Sequence, residues 1–266
     1  MTKSAPVVIV TGASSGIGLA AARALAQKGC RVYDLSRSGS DTDLIKHITA
    51  DVTDEASVIG AVDAVVKEEG RVDILITSAG FGISGAAEFT PDGAMILQLD
   101  VNYFGTVHAC RAVLPHMRRA GAGRILCVSS VAGFVGLPFQ AHYSASKAAV
   151  YAFVMALHNE VRKFGINVCA VMPGDTKTGF TDAREKITEG DDVYSGRIER
   201  SVSKSSKDEQ TGTDANFVGR FIARAALKKR VRPVLVPGFT TKIIIILSRL
   251  VPVPLAWRIV EKLYAS

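Results

Sequence analysis

The 266-residue sequence has few residues of the kinds that form disulfides or metal sites. It contains four cysteines, and none of them belongs to a C-x-x-C pair. This argues against a disulfide framework and against the usual zinc spacing, and it favours buried thiols in a reducing compartment. We therefore expect a cytoplasmic protein without a metal site. The cysteines are Cys30, Cys110, Cys127 and Cys169.

Long apolar segments and dense basic segments are also scarce. The apolar runs are short, so no membrane-spanning helix is expected, and the N-terminus leads directly into a predicted strand, which leaves no room for a secretory signal. The formal net charge is +7, but the basic residues are spread along the chain apart from a cluster at 228–232. Because no zinc-finger spacing and no basic stretch interleaved with aromatics is present, nucleic-acid binding is not expected. A membrane surface or an anionic small ligand remains as the partner.

Short apolar runs that alternate with helical patterns predict an α/β fold. Alternation of this kind gives parallel βαβ units, and near-continuous apolar strands suit a sheet covered by helices on both faces. We expect a single-domain, doubly wound parallel sheet of about seven strands. The strands are predicted at 6–11, 31–35, 45–50, 72–77, 123–129, 166–172 and 233–236. The helices are predicted at 17–28, 54–69, 92–120, 141–163 and 214–229, where Pro115 can kink or end the third one.

Two segments fall outside this alternation. Residues 179–210 are polar and charged, and a stretch of that length in a compact domain is usually a functional lid or partly disordered. Residues 239–266 are strongly apolar with basic edges, as in segments that lie in a membrane interface. Alternatively, this tail packs over a pocket or into a partner subunit, as an extension of the domain at 1–238. Its basic residues and lone tryptophan are Lys242, Arg249, Trp257, Arg258 and Lys262.

A glycine-rich turn joins the first strand to the first helix, in the sequence Thr11-Gly-Ala-Ser-Ser-Gly-Ile-Gly18. Glycine lets the backbone turn sharply and approach a pyrophosphate, and the helix N-terminus offers free N–H groups to the phosphates. A glycine turn alone is a weak signal, but its place between strand and helix predicts a dinucleotide site in a Rossmann-type fold. The expected contacts are Gly12, Ser14, Ser15, Gly16, Ile17 and Gly18.

The end of the second strand bears on the choice between NAD and NADP. An acidic residue there favours the free 2′-hydroxyl of NAD, whereas an arginine favours the 2′-phosphate of NADP. The strand ends without a carboxylate at Ser36 or Arg37, while Asp34 should lie within it. Because Arg37 offers a planar fork for phosphate, we predict that NADP(H) is preferred over NAD(H). The alternative is that Arg37 is a solvated loop residue.

Ser130, Tyr143 and Lys147 are the candidates for chemistry. Tyr143 and Lys147 are four residues apart and therefore share one face of a helix. An ammonium beside a phenol favours the phenolate and lowers its pKa, so the tyrosine can act as acid in reduction and as base in oxidation. Ser130 follows the fifth strand, at the edge where such sheets bind ligands, and could hold a substrate oxygen. The order of these motifs predicts hydride transfer between nicotinamide and a ketone or secondary alcohol.

In these motifs the sequence resembles the short-chain dehydrogenase/reductase family over residues 5–236. The resemblance implies that Tyr143 is the general acid/base, that Lys147 lowers its pKa and binds the nicotinamide ribose, and that Ser130 orients the carbonyl. It also implies that Asn102 holds a water linking Lys147 to solvent. Further cofactor contacts implied by the resemblance are Ser36, Arg37, Asp51, Val52, Ala79, Gly80, Asn102, Tyr143, Lys147, Pro173, Gly174, Thr176 and Thr178.

The sequence departs from the family pattern in two places. The family's Asn-Asn-Ala-Gly segment is Thr77-Ser-Ala-Gly80 here, which puts a sheet-stabilising asparagine contact in doubt. The stretch Ala13-Ser14-Ser15 lacks the basic residue of some NADP-specific members, which leaves the 2′-phosphate mainly to Arg37.

The apolar tail and four phenylalanines, at Phe81, Phe134, Phe139 and Phe180, suggest a lipophilic small-molecule substrate: a steroid, a retinoid-like molecule or a long-chain keto compound. The resemblance further implies a homodimer or homotetramer formed through the helices near 92–119 and 141–163. Two alternatives remain open: a non-catalytic NADP(H)-binding sensor of the same fold, and a family enzyme with another reaction, such as an epimerase or dehydratase.

Overall fold

Seven parallel strands form the central sheet of this computed structural model, which describes residues 5–265 except for the side chain of Arg249. Residues 1–4 and 266, which open the predicted domain and close the predicted tail, lie outside the described residues. The strands are β1 (Val7–Thr11), β2 (Arg31–Ser36), β3 (Ile45–Thr49), β4 (Ile74–Thr77), β5 (Gly123–Val128), β6 (Ile166–Val171) and β7 (Val234–Leu235).

The strand order is β7-β6-β5-β4-β1-β2-β3, and every neighbouring pair is parallel. The chain therefore builds outward from β1 to β3 and then returns to β4 on the other side of β1. Such a reversal opens a crevice at the carboxyl ends of β1 and β4, which is where doubly wound sheets bind ligands. The predicted α/β fold with about seven parallel strands is confirmed.

Helices cover both faces of the sheet. In order along the chain they are α1 (Gly16–Ala26), α2 (Glu55–Glu69), α3 (Asp92–Leu99), α4 (Gly105–Ala120), α5 (Ala141–Val161), α6 (Phe180–Ala183), α7 (Arg197–Gln210), α8 (Ala215–Leu227), α9 (Phe239–Leu250) and α10 (Val253–Tyr264). Helices α1 and α8 pack on one face, and α2, α4 and α5 pack on the other. Successive strand residues alternate between these layers: Val7 and Ile9 join one core, whereas Val8 and Val10 join the other.

The helices α1 and α8 pack closely because their contact consists of small residues. Helix α1 is rich in alanine, and a Cβ added at Gly219 of α8 would lie 2.4 Å from the backbone carbon of Ala20. A gap this narrow admits glycine alone. On the opposite face, α2 begins where the Asp54 side chain accepts a hydrogen bond from the Ala56 N–H (2.9 Å) and ends at Gly70, whose φ of 74° suits glycine.

Two predicted elements differ from the structure. The helix predicted at 92–120 is interrupted not at Pro115, which lies inside α4, but by a π-helical turn at Asp100–Phe104. Residues 179–210, predicted as a lid or partly disordered, contain α6 and the 14-residue helix α7. We call residues 179–210 the lid. Short parallel pairs tie this region to the body of the protein: Glu185–Lys186 with Ile83–Ser84, and Thr176–Lys177 with Thr213–Asp214.

The tail at 239–266 forms α9 and α10. The Tyr264 hydroxyl donates to Asp208 Oδ2 (3.3 Å), and Arg197 Nε donates to the Ala265 carbonyl (2.5 Å), so α10 rests on the lid helix α7. Its outer face remains apolar and exposed, with 70% of Trp257 accessible to solvent. Among the described residues, no helix is long and apolar enough to cross a membrane.

Two glycine-to-alanine substitutions in helices should have opposite effects on stability. Gly219→Ala forces α8 away from α1, and we expect it to lower the free energy of unfolding by about 1–3 kcal/mol, as overpacking does. Gly60→Ala serves as the control, because nothing lies within 4 Å of the added Cβ on the exposed face of α2. Alanine is the better helix former there and should raise stability by about 0.5–1 kcal/mol. Urea denaturation measures the free energy of unfolding of both variants. Equal changes in the two variants would contradict the packing assigned to α1 and α8.

Candidate active site

The glycine turn between β1 and α1 depends on close backbone approaches. Gly12 has a φ of +69°, and a Cβ there would lie 2.7 Å from the Ala79 Cα at the end of β4. A Cβ at Gly18 would lie 2.3 Å from the Gly12 carbonyl oxygen. Gly16 is also at positive φ, and a Cβ there would lie 3.7 Å from the Thr178 side chain, in ordinary van der Waals contact. The turn is thus a cradle of bare backbone at a helix N-terminus, which fits the pyrophosphate of a dinucleotide.

The Asp34 side chain, in β2, stabilises this turn through a hydrogen bond. Its Oδ1 accepts a hydrogen bond from the Ala13 N–H (2.8 Å), and its Oδ2 accepts one from the Ser36 hydroxyl (2.7 Å) and lies 3.1 Å from His47 Nδ1. The carboxylate is buried and turned toward the protein interior. Sequence reasoning places Asp34 in the strand but misses this role. The available signal is an acidic residue inside an otherwise apolar buried strand, which needs internal partners.

A cleft of about 550 Å³ opens at the carboxyl edge of the sheet. It brings together nearly all residues that the sequence analysis selects for the site. Those lining it are Gly12, Ser14, Ser15, Gly16, Ile17, Ser36, Arg37, Asp51, Val52, Ala79, Gly80, Ser130, Tyr143, Lys147, Pro173, Gly174, Thr176 and Thr178. Gly18 lies behind the turn, within α1, and Asn102 is buried behind Gly80.

Tyr143 and Lys147 project from the first two turns of α5 into the cleft. The Lys147 Nζ lies 5.9 Å from the centroid of the Tyr143 ring and donates to the Val128 carbonyl (3.2 Å). Ser130 begins a single 3-10 turn after β5, where its Oγ accepts from the Ala132 N–H (3.1 Å), and its hydroxyl is a hydrogen-bond partner of Tyr143. The Ser129 hydroxyl donates to the Lys147 carbonyl (2.7 Å) and joins α5 to the end of β5.

Burial dominates the protonation of both groups. It raises the pKa of Tyr143 to about 12, against the opposing hydrogen bond from Ser130. It lowers the pKa of Lys147 to about 8. Loss of water disfavours the charged form of each group, and the predicted lowering of the Tyr143 pKa by Lys147 stays a prediction. Tyr143 is held as a neutral phenol, the form that donates a proton.

Asn102 occupies the π-helical turn and joins the cleft wall to α5. Its Nδ2 donates to the Phe81 carbonyl (3.0 Å) and to Ser146 Oγ (2.9 Å), and its Oδ1 accepts from the Phe81 N–H (3.0 Å). The Asn102 carbonyl accepts from the Thr106 hydroxyl (3.0 Å). The side-chain amide thus fixes the loop that follows Gly80.

The Thr77-Ser-Ala-Gly80 segment is held by hydroxyl groups. Thr11 Oγ1 accepts hydrogen bonds from the N–H groups of Ser78 (3.2 Å) and Ala79 (3.3 Å), and the Thr106 hydroxyl donates to Thr77 Oγ1 (3.4 Å). These contacts tie β4 to β1 and to α4. They resolve the doubt raised by the missing asparagine, because a different polar side chain anchors the same segment.

Sequence reasoning misses two acidic residues of the cleft wall, one in the lid and one that precedes it. Glu209 of α7 accepts a hydrogen bond from the Thr181 hydroxyl (2.6 Å) and forms an ion pair with the buried Arg184. Asp175 follows β6, and its pKa is raised first by burial and then by the charges of Glu209 and Asp208. The polar run at 179–210 contains no local pattern that pairs these residues, since the pairing depends on the fold of the lid.

Comparison with known proteins identifies the family. The family model described as short chain dehydrogenase matches residues 6–189. The chain belongs to the short-chain dehydrogenase/reductase family. Members of this family bind NAD or NADP, and this chain is an oxidoreductase acting on CH–OH groups.

Individual relatives agree with this assignment. The chain is 40% identical over 240 residues to a 3-ketodihydrosphingosine reductase of Bacteroides thetaiotaomicron, covering 89% of this chain and 87% of the relative. It is 35% identical over 209 residues to human 17-beta-hydroxysteroid dehydrogenase type 1, covering 71% and 63%. The crystal structure of a short-chain dehydrogenase from Streptomyces avermitilis superposes with a TM-score of 0.84 at 28% identity, covering 98% of both chains.

Removing the buried charge of Lys147 should stabilise the protein. The pKa of about 8 in the folded chain lies below the unfolded value, so the penalty of the charge is full below pH 8 and is relieved as the pH rises toward 10.5. We expect Lys147→Met to raise the free energy of unfolding at pH 7 by about 3 kcal/mol, and by much less at pH 10. Urea denaturation without cofactor at both pH values measures this.

The matched control is Lys163→Met, which removes an exposed lysine just after α5 and should change stability little at either pH. A Lys147→Met variant that is less stable than the wild type at pH 7 would contradict the assigned burial penalty.

Proposed function

We propose that this enzyme uses NADP(H) to reduce a ketone on a lipophilic small molecule, with Ser130, Tyr143 and Lys147 as catalytic residues. The observation that carries the proposal is that these three side chains line one cleft together with the glycine turn. The pyrophosphate would lie on Gly12, Ser14, Ser15 and Gly16. The ribose and nicotinamide would extend toward Lys147 and the segment after Pro173.

The chain's own residues account for the proton transfer. When bound, the nicotinamide supplies the hydride. Tyr143, neutral because burial raises its pKa, donates its proton to the substrate oxygen as negative charge develops there. The Ser130 hydroxyl donates a hydrogen bond to the same oxygen and orients the carbonyl. The Lys147 ammonium lies beside the ring and stabilises the phenolate that results.

In this proposal Asn102 is a positioning residue, which acts through its hydrogen bonds to other residues. Its amide binds the Phe81 carbonyl and the Ser146 hydroxyl, and thereby joins the loop after Gly80 to α5. Its predicted role of holding a water that links Lys147 to solvent stays a prediction.

A lipophilic substrate is supported from two directions. The cleft wall around Tyr143 contains Phe81, Leu97, Val101 and Phe180, and the rings of Tyr143 and Phe180 lie 5.6 Å apart. Two relatives are named for a keto-sphingoid and a hydroxysteroid, both of which are lipids. Among the substrates considered, these observations favour a long-chain keto compound or a steroid.

The preference for NADP(H) rests on the second strand. Arg37 lines the cleft with an exposed guanidinium, whereas the one acidic residue of β2, Asp34, is engaged by the glycine turn. A planar cation and no facing carboxylate at this point favour a 2′-phosphate.

Assembly and location stay predictions. Exposed apolar side chains at Ile96, Leu99 and Phe104 support a homodimer or homotetramer through the helices near 92–119 and 141–163. Four buried cysteines without disulfides support a cytoplasmic location.

Peripheral membrane contact through 239–266 is supported by the exposed apolar face of α9 and α10. We treat this tail as an extension of the domain at 1–238 because α10 packs on α7.

A sensor without catalysis is the competing hypothesis, and Tyr143→Phe separates the two. We expect NADPH oxidation, followed at 340 nm against a panel of lipophilic and small polar ketones, to fall by a factor of about 10² to 10⁴ in this variant, since it removes the proton donor. NADPH binding, measured by fluorescence, should persist. Tyr151→Phe on the same helix is the control, because this ring packs against Phe134 and lies outside the cleft lining. Tight NADPH binding without turnover of any ketone would favour the sensor.

Arg37→Ala tests the choice of cofactor. Loss of a charge-assisted hydrogen bond to the 2′-phosphate should raise the KM for NADPH about 10- to 100-fold, while the KM for NADH changes little. Arg23→Ala, an exposed position on α1 outside the cleft lining, should leave both values unchanged. Equal changes in the two KM values would show that Arg37 does not recognise the 2′-phosphate.

A further inference from the structure

A second cavity lies between the tail helix α10 and the turn that precedes Tyr143. Its volume is about 480 Å³. One wall consists of Leu137, Pro138 and Ala141, and the other consists of Trp257 and Val260 of α10. We call this cavity the tail groove. Leu137 also lines the catalytic cleft, so the two cavities share a wall.

The turn between the two cavities is held in a strained shape. The Leu137 N–H donates to Ser144 Oγ (3.1 Å), which fixes the turn to the start of α5. Phe139 has a φ of 58°, which is unfavourable for a bulky residue. Its ring meets the Tyr194 ring edge to face at 5.5 Å and lies 6.0 Å from the Arg197 guanidinium. The lid therefore supports this backbone shape, and strain maintained in this way is typical of ligand sites.

The opposite wall is fixed to the lid at the C-terminal end of α10. Arg197 holds the Ala265 carbonyl, and Asp208 holds the Tyr264 hydroxyl, so the C-terminal end of α10 is fixed to the lid. Trp257 lies nearly two turns earlier and is 70% exposed. The groove thus opens to solvent beside the apolar outer face of the tail.

We propose that the tail groove binds the hydrocarbon chain of the substrate, as a subsite for a linear alkyl group. This rests on the proposed function, because the chain belongs to a ketone whose carbonyl lies at Tyr143. The catalytic cleft also has to hold the dinucleotide, so a long substrate needs a second apolar surface beside it. The tail groove supplies that surface across the wall formed by Leu137. Its walls are mostly apolar, with Ser144 and Glu261 as their polar members, which suits an alkyl chain.

A chain-length series tests the subsite by kinetics. With NADPH saturating, kcat/KM is measured for methyl ketones from 2-butanone to 2-dodecanone, each below its solubility limit. In the wild type we expect kcat/KM to rise by up to about fourfold per added methylene once the chain enters the groove. Trp257→Ala should lower the ratio of the 2-dodecanone to the 2-butanone value by about five- to tenfold.

Leu255→Ala is the matched control for this series. It removes an apolar side chain of α10 that is about half exposed and does not line the groove, so the ratio should stay at the wild-type value. A flat chain-length series in the wild type, or an equal loss of the ratio in Trp257→Ala and Leu255→Ala, would overturn the proposal.

A binding measurement separates the subsite from the reaction. Trp257 is the only tryptophan in the sequence, so the tryptophan emission of the chain comes from this residue alone. We expect 2-dodecanol to shift that emission to shorter wavelength in the wild type and not in Val260→Asp. If the shift occurs but no ketone is reduced, the proposed function is wrong, while the binding of an alkyl chain in the tail groove is still supported.

A membrane surface is the competing occupant of the tail groove, and vesicles of anionic phosphatidylglycerol are the probe for it. If they shift the Trp257 emission and 2-dodecanol does not, the groove belongs to a membrane surface and the proposal is wrong. A 2-dodecanol shift that persists in Val260→Asp places the alkyl chain elsewhere and overturns it as well.

Discussion

The Lys147 ammonium is buried at the site. Its contacts within the protein offset only part of the free-energy cost of removing it from water. One carbonyl, that of Val128, lies within hydrogen-bonding distance of Nζ, and burial lowers the pKa to about 8. The site is assembled around this group. A side chain at position 80 has no room, because a Cβ on Gly80 would lie 2.9 Å from Asn102 Oδ1 and 3.3 Å from Lys147 Nζ. The Ser129 hydroxyl and the start of α5 hold the lysine backbone at the end of β5. In the proposed function, the ribose hydroxyls of the dinucleotide are the further partner of this group.

The sheet could be predicted from the sequence because its signals are local. Strands buried on both faces are continuous apolar runs, and their alternation with helical patterns predicts the number of strands and their parallel pairing. The π-helical turn at Asp100–Phe104 has no such signal. Pro115 is the local indication of an interruption, since proline lacks an N–H group, yet α4 continues through it. The real interruption lies where Asn102 reaches Phe81 and Ser146, two partners that only the tertiary fold brings near.

The candidate site also has one part that the sequence predicts and another that only the fold reveals. The glycine turn, Ser130, Tyr143 and Lys147 are recognisable because each lies in a local motif beside a predicted strand or at the start of a predicted helix. The Asp34 contact with the turn, and the Glu209 and Arg184 pair in the lid, depend on distances between elements that are 20 or more residues apart. The sign of the Tyr143 pKa shift is also beyond the sequence. Spacing shows that an ammonium lies near the phenol, but the amount of water removed from both groups decides which effect is larger.

The lid links the polar chemistry of the cleft to the apolar tail. One end of α7 holds Glu209 at the cleft wall, where Arg184 and Thr181 bind it. The other end holds Arg197, which contacts both the strained Phe139 and the last residues of α10. A displacement of α7 therefore acts at the same time on the charged wall near Tyr143, on the turn that carries Leu137 and on the tail. Because Arg184 is buried, separating it from Glu209 is costly, and the pair favours movement of α7 as a unit with α6 rather than local unfolding.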